Sequence, residues 1–569
     1  FNVVSTWNFV TGYTRTISSS MVNDARLGVN YVQVGQNHTT SNFSGNAGSL
    51  FSIPGLTTSF LPAMSFSGGY VSGFGTKVSV TDNYDTSIQY SDVLNWVHGK
   101  HDTRFGFQGW RIRTNGLFNG SNGQAGTFGF GSIYSGSPES NFLLGLPTSV
   151  GAGNLGSEWG QRNNVFAGFV QDDWKVNERL TFNLGLRYET HTPFVEANNK
   201  QVNWDPQTGN FELPNQNGNN RALYNSYNGY GNYQPRVGVA YQLTANTTVR
   251  ASYGLSSFME GTGLGLRLPG NPPRPIAASA NYSTLAYPTT TLDQGFTPIS
   301  VPAGCTIAGL ESADPICYKG AIIYSWDKKV QPAHSNQWSL FVQHEFSPSA
   351  IAQVGYVGQS TTHLTNAELL TQRVWDSPGV VSPSPFFANN RAVIDQVTYI
   401  FGTFAEAHQN YNALQAQMQG RLNHGLSYQL SYSWSRCMTN SQGFWGEASQ
   451  SSAPSAWWQN TYNPSGESGA CYYNVKGDFT GYEIYDLPFG RGKQFGTNMN
   501  KAADAVVGGW TLSVIPTFRG GFPLTLSSND DHSGTNSFQN RPNCIAPPHV
   551  LHKQPIGNGF YGYRWFDPA

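Results

Sequence analysis

Charge is scarce in this chain. Only 11% of its 569 residues are Asp, Glu, Lys or Arg, against roughly 25% in a typical soluble domain. The 32 basic and 33 acidic residues leave a net charge of −1, which removes the electrostatic footprint of a nucleic-acid binder. No run approaches the ~18 consecutive apolar residues of a transmembrane helix. The sequence opens Phe-Asn-Val-Val-Ser, with no basic segment followed by an apolar stretch, so no secretory leader is read at this end. Five cysteines are too few for a disulfide scaffold. What is abundant is aromatic and small: 29 Tyr, 35 Phe, 15 Trp and 64 Gly. So many aromatics with so little net charge do not describe a disordered chain.

Strict alternation dominates the local pattern. Leu426, Tyr428, Leu430, Tyr432 and Trp434 alternate with Ser427, Gln429, Ser431 and Ser433. Phe182, Leu184, Leu186 and Tyr188 alternate with Asn183, Gly185 and Arg187, and similar runs occupy 236–243 and 248–255. A period of two puts one set on each face of a β-strand. The runs come in pairs joined by short polar turns, among them His98–Asp102, Lys175–Arg179, Thr244–Thr247, Ser347–Ser349 and Asn423–Gly425. Between pairs lie long stretches rich in Gly, Ser, Asn and Pro, such as 36–83, 114–162, 259–335 and 437–475. Pairs start near 7, 86, 163, 234, 336, 409 and 477.

Short turns on one side, long loops on the other and ~10-residue alternating strands predict an antiparallel transmembrane β-barrel of the outer-membrane type. The shortage of charge then has a cause, because a basic side chain facing lipid at midplane costs about 2–4 kcal/mol. Trp96, Trp174, Trp434 and Trp510 near strand ends suit the interfacial girdles. The reading assigns the Leu426–Trp434 apolar set to lipid and its serines to the lumen. A soluble sandwich would bury the apolar set against a second sheet.

Several segments resemble a known family. Phe169–Glu189 (FVQDDWKVNERLTFNLGLRYE) is similar to a hairpin of TonB-dependent outer-membrane receptors, and Gln234–Tyr241 with Thr248–Gly254 to the hairpin after it. Tyr485–Lys493 (YDLPFGRGK), Gly508–Ser513 (GGWTLS) and Gly520–Leu524 (GGFPL) resemble the Oar-like subgroup. The resemblance implies a barrel of 22 strands, about 14 of them visible in 1–569. The subgroup's plug, TonB box and regulatory-like domain would precede Phe1. Its last strand ends in an aromatic residue, whereas this chain stops at Trp565-Phe-Asp-Pro-Ala569, a segment that lies in a late loop in relatives. The expectation is therefore one partial barrel domain over 1–569, truncated at both ends and incapable by itself of TonB-coupled uptake.

Enzyme chemistry finds no footing, and no cofactor is expected. His344-Glu345 begins a zinc motif, but Pro348 stands where the second His belongs. Gly557–Gly562 matches GxGxxG without a following helix pattern. Asn529-Asp530-Asp531-His532 could hold a hard cation and reads better as a polar turn, while Asp172-Asp173 reads as structure at the periplasmic rim. The sequon at Asn37 carries no weight. Cys305 and Cys317 fall in one long loop, and Cys437 and Cys471 flank another, making them candidate disulfides of an oxidising compartment; reduced, packed thiols are the alternative, and Cys544 is left over.

The leading function is the barrel part of a TonB-dependent receptor taking up a scarce ligand, with outer-membrane lipid and, through the plug, the TonB system as partners. The ligand is unknown: an oligosaccharide, a peptide or a metal chelate. Arg187, Arg236 and Arg250 would line the lumen. The alternatives are a surface adhesin or interaction barrel and a secreted soluble carbohydrate-binding β-protein.

Overall fold

The computed structural model describes residues 2–36, 52–56, 60–77, 81–118, 123, 125–153, 159–224, 232–258, 265–272, 277–281, 287–296, 305, 310, 314, 317–387, 396–422, 425–441, 458–524, 526, 531, 533–537, 540–541, 553–557 and 560–563. One antiparallel sheet organises the chain. Its strands are β1 (Asn2–Ser18), β2 (Met21–Gln36), β3 (Thr81–His98), β4 (His101–Phe118), β5 (Trp159–Asn177), β6 (Leu180–His191) and β7 (Tyr233–Thr244). They continue as β8 (Thr247–Phe258), β9 (Ala333–Ser347), β10 (Ala350–Leu369), β11 (Tyr399–Arg421), β12 (Leu426–Thr439) and β13 (Gly477–Asp486). A fourteenth span is broken at Pro516 into β14 (Thr511–Val514) and β15 (Thr517–Arg519). Each span pairs with its sequence neighbours, from β1–β2 to β13 with β14 and β15.

Side-chain alternation fits this wall. Leu184, Val237 and Tyr253 lie in one cross-strand row, and all are exposed. Leu340, Tyr356, Leu414 and Trp434 form another such row. The intervening rows, such as Asn183, Gly238, Ser252 and Ser339, are polar or small. Tyr432 and Trp434 are exposed rather than packed against a second sheet, so the sandwich reading fails. The turns are as short as expected, with Gly99 at φ 58° turning β3 into β4.

Two features differ from expectation. The strands run to 23 residues in β11 and 20 in β10, well beyond a bilayer's need. Their extra length is on the long-loop side, where water or loops can satisfy both faces. The long stretches also fold into cores of their own. Strands Ala63–Phe66, Thr127–Phe130, Ser149–Gly153 and Ala277–Asn281 build a small sheet over Ile53, Met64, Phe128, Phe130 and Phe296. A second core holds Trp204, Leu310, Ile323, Leu370 and Ile400, and a third Tyr224, Leu268, Trp326 and Leu369. Fully burying side chains of this size stabilises by about 1.5–3 kcal/mol each. These cores escaped the pattern because their strands are two to five residues long, too short for any period to show.

Candidate functional site

The lumen face offers a concavity of about 570 Å³ on the wall of β5–β10. Gly185, Gly238 and Gly254 form its floor, with Arg236, Gln171, Asn183, Ser252, Gln337 and Ser339 around them. Each glycine has room for a Cβ at ordinary or slightly tight contact, the nearest atoms lying 3.3–3.7 Å away. Packing does not require glycine here, so their effect is to leave the wall open to a close-approaching occupant. Arg236 is exposed to this space. Arg250, on the next strand, donates through Nη2 to Gln343 Oε1 at 2.7 Å.

Higher on the wall, Arg187 donates through Nε and Nη2 to Glu189 Oε2 at 3.0 and 2.5 Å, and through Nη1 to Gln108 Oε1 at 2.9 Å. Its guanidinium lies 5.8 Å from the Trp110 ring centroid, and His191 Nε2 is 2.7 Å from Glu189 Oε1. Alternation thus puts all three anticipated arginines on the lumen side, with Arg187 engaged in a network and Arg236 and Arg250 outside any ion pair among the described residues.

A roof folds above this tier. Glu196 is fully buried; its Oε1 accepts Gly160 N–H at 3.0 Å, and its Oε2 accepts Asn198 and Lys200 N–H at 2.7 Å each. Those bonds fix the chain that leads to Trp204 and Tyr224. In the extension of β10 above the bilayer, Glu368 is 4% exposed and accepts from Asn366 Nδ2 at 2.8 Å. Burial, with the nearby Glu406 carboxylate, pushes its carboxyl up to about 8. Burial raises Glu406 as well. Sequence reasoning missed this pair, because 38 residues separate them and only the β10–β11 register brings them together.

The structure joins Cys305 to Cys317 with Cα atoms 4.9 Å apart, and Cys437 to Cys471 at 5.4 Å. Both separations lie in the range a disulfide needs. The first pair borders the Trp204 core, and the second ties the top of β12 to the approach of β13. Asp172 and Asp173 point to opposite faces: Asp172 accepts from Thr103 Oγ1 at 2.9 Å and lies 2.7 Å from His101 Nδ1, while Asp173 accepts from Asn183 Nδ2 at 2.5 Å. His344 Nδ1 is 2.9 Å from Thr247 Oγ1. Lys553–Gly557 pairs with Phe560–Tyr563 in a hairpin, so Gly557 and Gly562 of the glycine match lie on strands. Cys544, Asn37–Thr39, Asn529, Asp530, His532 and Trp565–Ala569 lie outside the described residues. Among the described residues, no cluster of three or more His, Cys, Asp or Glu could hold a metal ion.

An apolar outer face, a polar inner face, short turns at one end and folded loops at the other define an outer-membrane β-barrel. The chain belongs to the outer membrane beta barrel domain family, which it matches over residues 1–569. No curated protein matches the sequence. Among solved structures it is similar to the outer membrane transporter YddB from Escherichia coli, at 9% identity and a TM-score of 0.46, covering 92% of this chain and 56% of that one. The pyoverdine outer membrane receptor FpvA from Pseudomonas aeruginosa PAO1 aligns at 10% identity and a TM-score of 0.43, over 85% and 48%. The FrpB iron transporter from Neisseria meningitidis aligns at 11% and 0.39, over 85% and 48%. The chain spans about half the length of these proteins. Its place is the outer membrane.

Proposed function

We propose that this barrel forms the wall of a TonB-dependent receptor of the Oar-like subgroup, which takes up a scarce ligand across the outer membrane. The single observation that carries the reading is the open, glycine-floored concavity on the lumen wall beneath a folded roof. A wall meant only to anchor loops has no use for a cleared, hydrogen-bonding inner surface. A plug and TonB box belong to the same reading, and energy would arrive through them. The wall supplies the path and performs no bond-making chemistry. The ligand class stays with the chemistry of the groove: neutral amides, hydroxyls and arginine would suit a polar oligosaccharide, a peptide or an acidic chelate. Comparing growth on candidate nutrients between cells carrying the full-length gene and the same cells lacking tonB tests this. Uptake that is unchanged without TonB would overturn it.

A surface-interaction role is the second reading, favoured by the module over Ile53 and Phe128. Tyr70 and Leu143 protrude from it, 104% and 83% exposed. The Glu139 carboxylate fixes that tip by accepting Tyr70 N–H at 2.5 Å and Val71 N–H at 3.2 Å. Loss of cell adhesion with normal uptake on replacing Tyr70 and Leu143 would support it.

A further inference from the structure

Three arginines stand on the lipid-facing side of the wall, where uptake has no need of them. Along β4 the outward positions run Phe105, Phe107, Gly109, Arg111 and Arg113, and along β5 they run Val170, Gly168, Phe166, Asn164 and Arg162. Phe105, Phe107, Phe166 and Val170 are exposed and form the apolar belt here. Arg111 stands ten residues beyond His101. At a rise of ~3.3 Å per residue and a tilt of ~40°, that is about 25 Å up the wall, the top of the belt.

The arrangement is costly unless something compensates it. Arg113 lies directly opposite Arg162, and Arg111 opposite Asn164. Like charges directly opposite in a sheet are destabilising. Arg162 is held in place by donating through Nη1 to Asn115 Oδ1 at 2.9 Å and to the Gln161 carbonyl at 2.8 Å. Glu196 pairs beside Arg162, but both its oxygens are committed to backbone N–H groups. None of the three arginines makes an ion pair among the described residues. At this height on the far wall the outward rows read Asn336, Ser360, Asn410 and Met438, then Trp338, Gly358, Asn412 and Arg436, so a single arginine stands there with no second basic residue opposite it.

We propose that Arg111, Arg113 and Arg162 bind the phosphate groups of an anionic lipid in the outer leaflet. Guanidinium groups bind phosphate oxygens through paired, charge-assisted hydrogen bonds. The site faces sideways rather than into the lumen or up to solvent. A lipid whose chains lie against Phe105, Phe107 and Phe166 would place its headgroup at the arginines. That geometry favours a lipid over a soluble phosphate.

The test uses the full chain in phosphatidylcholine nanodiscs doped with bisphosphorylated lipid A, with retained lipid counted by native mass spectrometry. Wild type should retain lipid A, and the R111Q/R113Q/R162Q variant should lose about tenfold or more of that affinity. R104Q removes a lumen-side arginine that sits 3.9 Å from Asp102, and it should retain lipid A like wild type. A heat-modifiable gel shift reports whether each variant is folded. If the triple variant is not, R113Q alone should still weaken retention several-fold. Equal retention by the arginine variants and wild type would overturn the proposal, as would equal retention of dephosphorylated lipid A. Displacement by inorganic phosphate at matching concentration would overturn the lipid assignment.

Discussion

Val342 and Val354 face each other across the β9–β10 pair on the outer surface, 44% and 50% exposed, while the neighbouring Gln343 and Gln353 face each other on the lumen side. Val354 is four residues from the start of β10, close to midplane. Val354→Arg should therefore destabilise the folded barrel in vesicles by about 2–4 kcal/mol. Gln353→Arg, one residue away, should change stability little. Denaturant titration in lipid vesicles reads both, and equal costs at the two positions would contradict the assignment of faces.

The cysteine bridges make a prediction about the mature protein. Peptide mapping without reductant should recover the peptides holding Cys305 and Cys317 as one linked species, and those holding Cys437 and Cys471 as another. A thiol label should then react with Cys544 alone. Labelling of any of the four would show that the pair concerned is reduced.

Glu368 sets a pH dependence for the roof. Its folded carboxyl titrates at about 8, against 4.5 for the ordinary group. The folded state therefore holds a proton that the unfolded state releases first. Stability is greatest below about pH 4.5 and falls as pH rises towards 8. Local opening of residues near 366–370, followed by hydrogen exchange, should increase over that window. Glu368→Gln should flatten the profile and protect the roof at alkaline pH. A profile that E368Q leaves unchanged would mean another group is responsible.

Glu196 should be the most sensitive single position of the roof. Glu196→Ala strips three backbone N–H groups of their acceptor, at about 1–3 kcal/mol for each that stays buried and unmet. Limited proteolysis should then cut within 194–224, with the heat-modifiable shift of the barrel preserved. Wild-type resistance would show that solvent replaces those bonds.

The wall was legible because its chemistry is periodic. Leu184 with Val237, or Tyr432 with Trp434, announce a lipid face through alternation alone, and the short turns follow from Gly99 and its like. The site was legible only in part. Arg187, Arg236 and Arg250 could be placed on the lumen side by counting residues, but the cleared floor of Gly185, Gly238 and Gly254 appears only once three strands are in register. Arg111 and Arg113 alternate visibly, yet their conflict with Arg162 needs the β4–β5 pairing. Trp204, Ile323 and Ile400 come from strands far apart in the chain, and no local pattern ties them together.

The pairing order has a consequence for how the molecule assembles. Every wall strand meets its sequence neighbour, so the wall can zip hairpin by hairpin with little loop entropy lost at each step. Some loop strands break that rule, as Ala63–Phe66 does in pairing with Thr127–Phe130; in the Trp204 core, Ile322–Trp326 runs parallel to Tyr399–Thr403 across an intervening hairpin. It can form only after β9 and β10 have paired and brought β11 alongside. The Trp204 core depends on that parallel pair, so the roof is the late, slow event of folding, closed over a wall already standing.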